Sequence, residues 1–184
     1  AKRCECLCFR GSEKDKLRRW ADTCVAIGIE RFHTIDADDP FFDGELGRQS
    51  LELLIKGGYD MVSPSKKTYY GSVGYSLTAD ILYRACATKQ TEDTEMMWYI
   101  IESLPGLRSA ELPVESVLVR DVRLTLDYEE DYWLLRTVLR ILGPYANRHE
   151  IENLFHQNAE LRLVNWFRNE EWRQQQLEKR PAGT

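Results

Sequence analysis

The sequence predicts an α/β fold, with a mostly parallel sheet flanked by helices and a helical C-terminal tail. Three observations carry this. Over the first sixty-odd residues, strand-like and helix-like patterns alternate, the order that folds into a parallel sheet with covering helices. The composition, 43% hydrophobic and 30% charged, suits a chain of 184 residues that buries one core. After Gly143-Pro144 the pattern turns charged and helical throughout. The expected division is therefore an α/β domain over residues 1–142 and a helical extension over 143–184.

Taken in order, "KRCECLCFRG" reads as a strand ending at Gly11. In "SEKDKLRRWADTCVAIG", Ser12 and Asp15 have the spacing of an N-cap and its reciprocal acid. Leu17, Trp20, Ala21, Cys24 and Val25 keep helical spacing there, and Gly28 stops the run. "RFHTID" is a second strand. "GELGRQSLELLIKGG" is a second helix with Leu46, Leu53 and Leu54 inward, and "YDMVSP" is a third strand closed by Pro64. "SKKTYYGSVGYS" reads as a loop, "TADILYRACAT" as a helix capped by Thr78, and "EDTEMMWYIIESL" as a helix ended by Pro105. "RSAELPVESVLV" has room for one strand. "VRLTLD" alternates as a strand and runs into "YEEDYWLLRTVLRILG", the strongest helical pattern in the chain. The tail segments "NRHEIENLFHQN" and "AELRLVNWFRNEEWRQQQLEKR" read as helices.

A net charge of -5 offers no general attraction to phosphate backbones or anionic lipid, which argues against nucleic acid or a membrane as main partner. No apolar run approaches the ~20 residues that span a bilayer. The five cysteines, three of them in "CECLC", match no zinc or redox spacing. Unpaired thiols predict a reducing cytoplasm.

Ligands of parallel α/β sheets sit beyond the carboxyl ends of the strands. "TIDADDPFFD" begins at such an end and gathers four aspartates. Asp38 there and Asp127, at the end of "VRLTLD", each follow a strand and precede a helix. Meeting at one sheet edge, the two can hold Mg²⁺, which takes one or two carboxylates together with substrate phosphates. The competing reading is that each acid caps its helix; Asp127-x-x-Glu130 has capping spacing.

"FRGSEKDKLRRW", "IDADDPFFDGEL", "GGYDMVS" and "VRLTLDYEEDYWLLRTVL" stand in order. Together they resemble the sugar cytidylyltransferases of the spore-coat-polysaccharide type, relatives of the enzymes that make CMP-linked keto-deoxyoctulosonate and CMP-sialic acid. The family patterns are "FRGSEDDVL", "GDCPLIDPEL", "GGYDYVSN" and "RxTVDxPEDLELV". The likeness runs from about Cys6 to Leu142. It implies a nucleotide-diphospho-sugar-transferase-like fold and transfer of CMP from CTP to an acidic sugar or similar acceptor. It further implies Mg²⁺ held by Asp38 and Asp127, Arg10 near the nucleotide, and a homodimer. Asp43 matches an acid read mainly as a helix cap, while Asp36 and Asp39 match nothing and are expected to be solvated or in turns.

The family's opening strand and triphosphate-cradling loop, on the order of 50 residues, have no counterpart here. The expectation is thus an N-terminally truncated copy, inactive alone. The acceptor-side segment also differs, with "YGSVGYSLT" in place of "DGLDVEVFS". Two alternatives remain: a non-catalytic binding or scaffolding domain of the same fold, and a nucleotidyltransferase or glycosyltransferase using another nucleotide.

Overall fold

The computed structural model describes residues 1–114 and 121–178. Four three-residue strands form one sheet: β1 (Arg31–His33), β2 (Met61–Ser63), β3 (Ser76–Thr78) and β4 (Ser109–Glu111). Their spatial order is β1-β3-β2-β4. β3 runs antiparallel to both β1 and β2, while β4 is parallel to β2. The sheet is therefore mixed. β1 and β2 point the same way, as the alternating pattern requires, but β3 is inserted between them. It arises from the stretch read as a loop, because only three residues pair before Thr78 opens the next helix.

Two other expected strands differ. "KRCECLCFRG" forms a short 3₁₀ turn at Lys2–Cys4 followed by irregular chain, and Cys4, Cys6 and Cys8 are exposed. No described strand lies beside it to satisfy an extended backbone. "VRLTLD" is extended but joins the rest through a single parallel bridge, Tyr70 with Arg123. Its ladder is completed by Tyr70 N–H to Val122 C=O (3.2 Å), Leu124 N–H to Tyr70 C=O (2.7 Å) and Leu126 N–H to Asp38 C=O (3.0 Å).

The helices follow the sequence closely. α1 (Lys16–Ile27) is capped by Asp15, whose carboxylate accepts from Arg18 N–H, and it ends on Gly28 at φ 73°. It buries Leu17, Ala21 and Cys24, whereas Val25 faces solvent. α2 (Gly44–Gly57) buries Leu46, Gly47, Ser50 and Leu54. α3 (Ala79–Thr88) packs on α1, and α4 is only Trp98–Glu102. α5 (Glu129–Leu142) buries Leu134, Leu135 and Val138. α6 (Arg148–Gln157), a 3₁₀ segment (Ala159–Val164) and α7 (Arg168–Glu178) complete the chain.

The core falls into three clusters. One lies between α1, α3 and the sheet, around Leu17, Leu77, Ile81 and Leu82. A second holds Leu46, Leu54, Val62, Val73 and Leu112 beneath α2. The third joins Phe41 and Tyr69 to Val122, Leu124 and α5, and takes in Ile151, Leu154 and Phe155 of α6. The charged helical tail thus supplies apolar residues to the same core as the extended segment that carries Asp127.

Candidate functional site

β1 ends at His33, and the chain then turns through Asp36, Ala37, Asp38, Asp39 and Pro40 before α2. Glycine makes the turn possible. Gly74 lets strand and loop approach so closely that a Cβ would sit 2.1 Å from Thr34 carbonyl oxygen. At Gly71 (φ +81°) a Cβ would come within 2.8 Å of Asp39 Oδ1 and of the Leu124–Thr125 backbone. The acidic loop therefore folds directly over the 69–75 stretch, and Leu126 N–H reaches Asp38 C=O.

That bond sets Asp38 beside the end of the extended segment, one residue from Asp127. Burial pushes the Asp127 carboxyl above its ordinary value; the Arg123 guanidinium opposes this, and the charges of Asp38 and Asp131 add to the rise. Asp39 is affected more: burial drives it up to about 6, against a Thr125 hydrogen bond, with Asp38, Asp36 and Asp127 contributing. Asp39 sits half-buried at a turn, its N–H reaching Asp36 C=O (3.2 Å), so of the two roles expected of it the turn holds and the solvated one does not. Asp36 is largely solvated, paired with Lys16 at 3.3 Å.

The capping alternative separates cleanly. Asp43 caps α2, accepting from Glu45 N–H (2.9 Å) and Leu46 N–H (3.0 Å). Asp127 does not cap α5. That duty falls to Asp131, whose Oδ2 accepts from Asp127 N–H (2.9 Å) and Tyr128 N–H (3.0 Å).

Asp127 instead bonds Arg123, the group that sequence reasoning missed. Arg123 is 1% exposed. Its Nε donates to Asp131 Oδ1 (3.0 Å), Nη2 to Asp131 Oδ2 (3.2 Å) and Nη1 to Asn169 Oδ1 (3.1 Å). Asn165 Nδ2 bonds both Asp131 Oδ1 (2.8 Å) and Arg123 C=O (3.0 Å). The Tyr128 ring lies between Arg123 and Arg168, 5.5 and 5.1 Å from their guanidinium carbons. Arg168 in turn forms a bidentate pair with Glu130 (2.9 and 2.8 Å). A signal was present: Arg123 precedes Asp127 by four positions and Asp131 follows it by four, within a motif already singled out. The two tail asparagines left no such pattern.

Arg10 lies on the exposed irregular segment before α1. Among the described residues no group of three or more His, Cys, Asp or Glu surrounds a single point. The donor set present is the two carboxylates of Asp38 and Asp127 on adjoining segments. This fits magnesium bound jointly with phosphate oxygens and does not fit an all-protein cage.

No protein-family model matches the chain. It is 27% identical over 164 residues to the spore coat polysaccharide biosynthesis protein SpsF of Bacillus subtilis, covering 83% of this chain and 65% of that protein. An uncharacterized protein of Methanocaldococcus jannaschii is 30% identical over 129 residues, 68% of this chain and 53% of that protein. The chain thus spans between about half and two thirds of these relatives. Among solved structures, a cytidylyltransferase from Leptospira borgpetersenii serovar Hardjo-bovis superposes with a TM-score of 0.78 over 87% of this chain and 70% of that one, at 19% identity. The chain is thus similar in sequence to a spore coat polysaccharide biosynthesis protein and shares its fold with a cytidylyltransferase, with a mixed sheet.

Proposed function

We propose that the protein containing this chain transfers a cytidylyl group from CTP to a hydroxyl of an acidic sugar or similar acceptor, releasing pyrophosphate. One observation carries the reading: the Leu126–Asp38 hydrogen bond that sets two acids, 89 positions apart in sequence, on adjoining segments. The fold shared with a cytidylyltransferase and the relationship to a polysaccharide biosynthesis protein support it.

Asp38 and Asp127 would hold Mg²⁺, which when bound offsets the charge of the nucleotide phosphates. The chain's own part is positioning. Arg123 donates to Oδ2 of Asp127, whose side chain stays 33% exposed and so open to a ligand. Asp131 ties the guanidinium and the backbone of Asp127 together, so the carboxylate is held before any ligand arrives. Nucleotidyl transfer depends on such fixed geometry and charge more than on covalent chemistry by the protein. Arg10, through the family motif, would meet the nucleotide once the irregular segment is ordered against it. A homodimer and a cytoplasmic location belong to this reading; among the described residues no helix is long and apolar enough to cross a membrane.

The test is Asp127→Asn in the full-length protein. Asn keeps the shape and a hydrogen bond to Arg123, and Asp131 keeps the cap, so unfolding should shift by less than ~1 kcal/mol. Mg²⁺-dependent CTP binding, followed by calorimetry, should fall at least tenfold along with turnover. Unchanged binding and turnover would remove the metal role, and unchanged binding with no turnover in the parent protein would favour the non-catalytic alternative.

A further inference from the structure

The cavity bounded by the start of α2, the start of α6 and the 68–72 stretch has no part in the reading above. Its volume is about 280 Å³, near the lower end of small-molecule pockets (roughly 300 Å³). Phe41 and Leu124 in its wall lie two residues after Asp39 and three before Asp127. Aromatic and aliphatic groups dominate the wall, with Phe42, Tyr69 and Ile151 joining them.

The charged groups are paired with one another. Arg148 Nε stands 3.8 Å from Asp43 Oδ2 and 3.6 Å from Glu152 Oε1, close enough for ion pairing and too far for a hydrogen bond. Glu45 is tied to Arg48 at 2.6 Å. Both helix N-termini are closed by their own side chains, α2 by Asp43 and α6 by Asn147, which accepts from Glu150 N–H at 3.1 Å. An anion therefore meets Asp43 and Glu152, which share Arg148 as counter-ion, and a cation meets the Arg148 guanidinium. Yet hydrogen-bonding capacity is unspent. Arg148 Nε and the Tyr69 hydroxyl are buried without a partner, and Tyr69 is 7% exposed. These are donors, while Asp43 and Glu152 are acceptors. Hydroxyl groups serve both at once, and the CH face of a ring suits Phe41, Phe42 and Tyr69.

We infer that this cavity binds a single uncharged pyranose ring, its hydroxyls between Arg148, Tyr69 and Glu152 and its CH face on the phenylalanines. The inference rests on the cavity alone, so its failure leaves the nucleotidyl-transfer reading standing. The test uses the full chain, labelled for NMR, and three probes of one ring: methyl α-glucopyranoside, its 6-carboxylate (the methyl glucuronoside) and its 2-ammonium analogue. The methyl galactoside and mannoside extend the neutral arm. The expected result is shifts at the amides of Thr68, Ser72 and Asn147 with at least one neutral glycoside, and binding several-fold weaker for the charged forms. Arg148→Met should weaken neutral binding about fivefold, while Glu152→Gln, which keeps a hydrogen-bonding group, should change it by less than twofold. Shifts from no neutral glycoside, or tighter binding of either charged form, overturn the inference, as does unaltered binding by Arg148→Met.

Discussion

Replacing Arg123 with methionine should be the most damaging conservative-volume change near the site. The guanidinium is 1% exposed and bonds Asp127, Asp131 and Asn169. Methionine fills most of the space, so cavity cost is small. What remains is Asp131, itself fully buried, with its charge no longer opposed. Removing one partner of a buried pair costs about 3–5 kcal/mol, because the survivor is left buried without its counter-ion. At ~4 kcal/mol, and 2–4 °C per kcal/mol for a domain of this size, the midpoint of thermal unfolding falls by about 8–16 °C. Asp131→Leu alone should be comparably harmful, since it strips Arg123 of its main acceptor and frees the Asp127 and Tyr128 N–H groups. The double variant removes both charges together. It still loses the cap, worth ~1 kcal/mol, yet should fall short of the summed single costs by at least ~2 kcal/mol. Urea unfolding monitored by tryptophan fluorescence gives all three values. Costs that add within ~0.5 kcal/mol would show that the two groups are not coupled and that the buried network does not hold Asp127 as argued.

Other perturbations test separate parts of the structure. Asp39 titrates near 6 in the fold, above its ordinary 3.8. Below pH 3.8 it is protonated whether folded or not; between 3.8 and 6 the unfolded chain loses the proton first, so stability drops across that window. The shift corresponds to ~3 kcal/mol at full burial, reduced to about 1–2 for a half-exposed group. Asp39→Asn should recover this at pH 7, and equal urea midpoints for variant and parent there would contradict it. Gly74→Ala drives a Cβ to 2.1 Å from the Thr34 backbone, and β1 must move away; a cost near 3 kcal/mol is expected, and a loss under ~1 kcal/mol in denaturant unfolding would deny the close approach. Asp43→Ala should cost ~1 kcal/mol through the lost α2 cap, visible as reduced protection of the Glu45 and Leu46 amides in hydrogen exchange.

What the sequence revealed follows from which signals are local. Caps and stops are local. Gly28 and Asp43 announce themselves within four residues, and most helices stand where periodicity puts them, although the stretch from Glu92 yields only α4 and the stretch from Ala159 splits into a 3₁₀ segment and α7. Strands depend on partners that sequence pattern does not name. "KRCECLCFRG" alternates well enough, yet with no described neighbour it stays irregular. β3 was hidden because three residues between a glycine-rich turn and a helix give too short a run for alternation to register. "VRLTLD" alternates best of all and still makes only one bridge, since its ladder partners are the 69–71 turn and the Asp38 carbonyl. The candidate site divides the same way. That Asp38 and Asp127 lie on adjoining segments was foreshadowed by their places after a strand-like run and before a helix. Asp39 was not, because its burial is set by Gly71 and Thr125, far along the chain.

The role of the C-terminal helices changes once Arg123 is considered. A charged segment after Gly143-Pro144 reads as an appendage, and most of its surface is indeed solvated. But a buried guanidinium beside two carboxylates needs every donor satisfied, since a half-satisfied network is worse than an apolar core. Asp127 and Asp131 account for Nε and Nη2; Nη1 is left over. Asn169 takes it, and Asn165 turns its amide to Asp131 and the Arg123 carbonyl. These two residues lie 42 and 46 positions from Arg123, on the segment where the 3₁₀ turn passes into α7, and both are almost wholly buried. The tail thus gives Arg123 an acceptor and Asp131 a donor, although Asn165 Oδ1 and Asn169 Nδ2 stay buried without a partner, while Ile151, Leu154 and Phe155 join the apolar core beneath. Loss of the tail would leave the acid's anchor desolvated on one side and open on the other, so residues 143–178 are as much a condition for a fixed carboxylate at the rim as the segment that bears it.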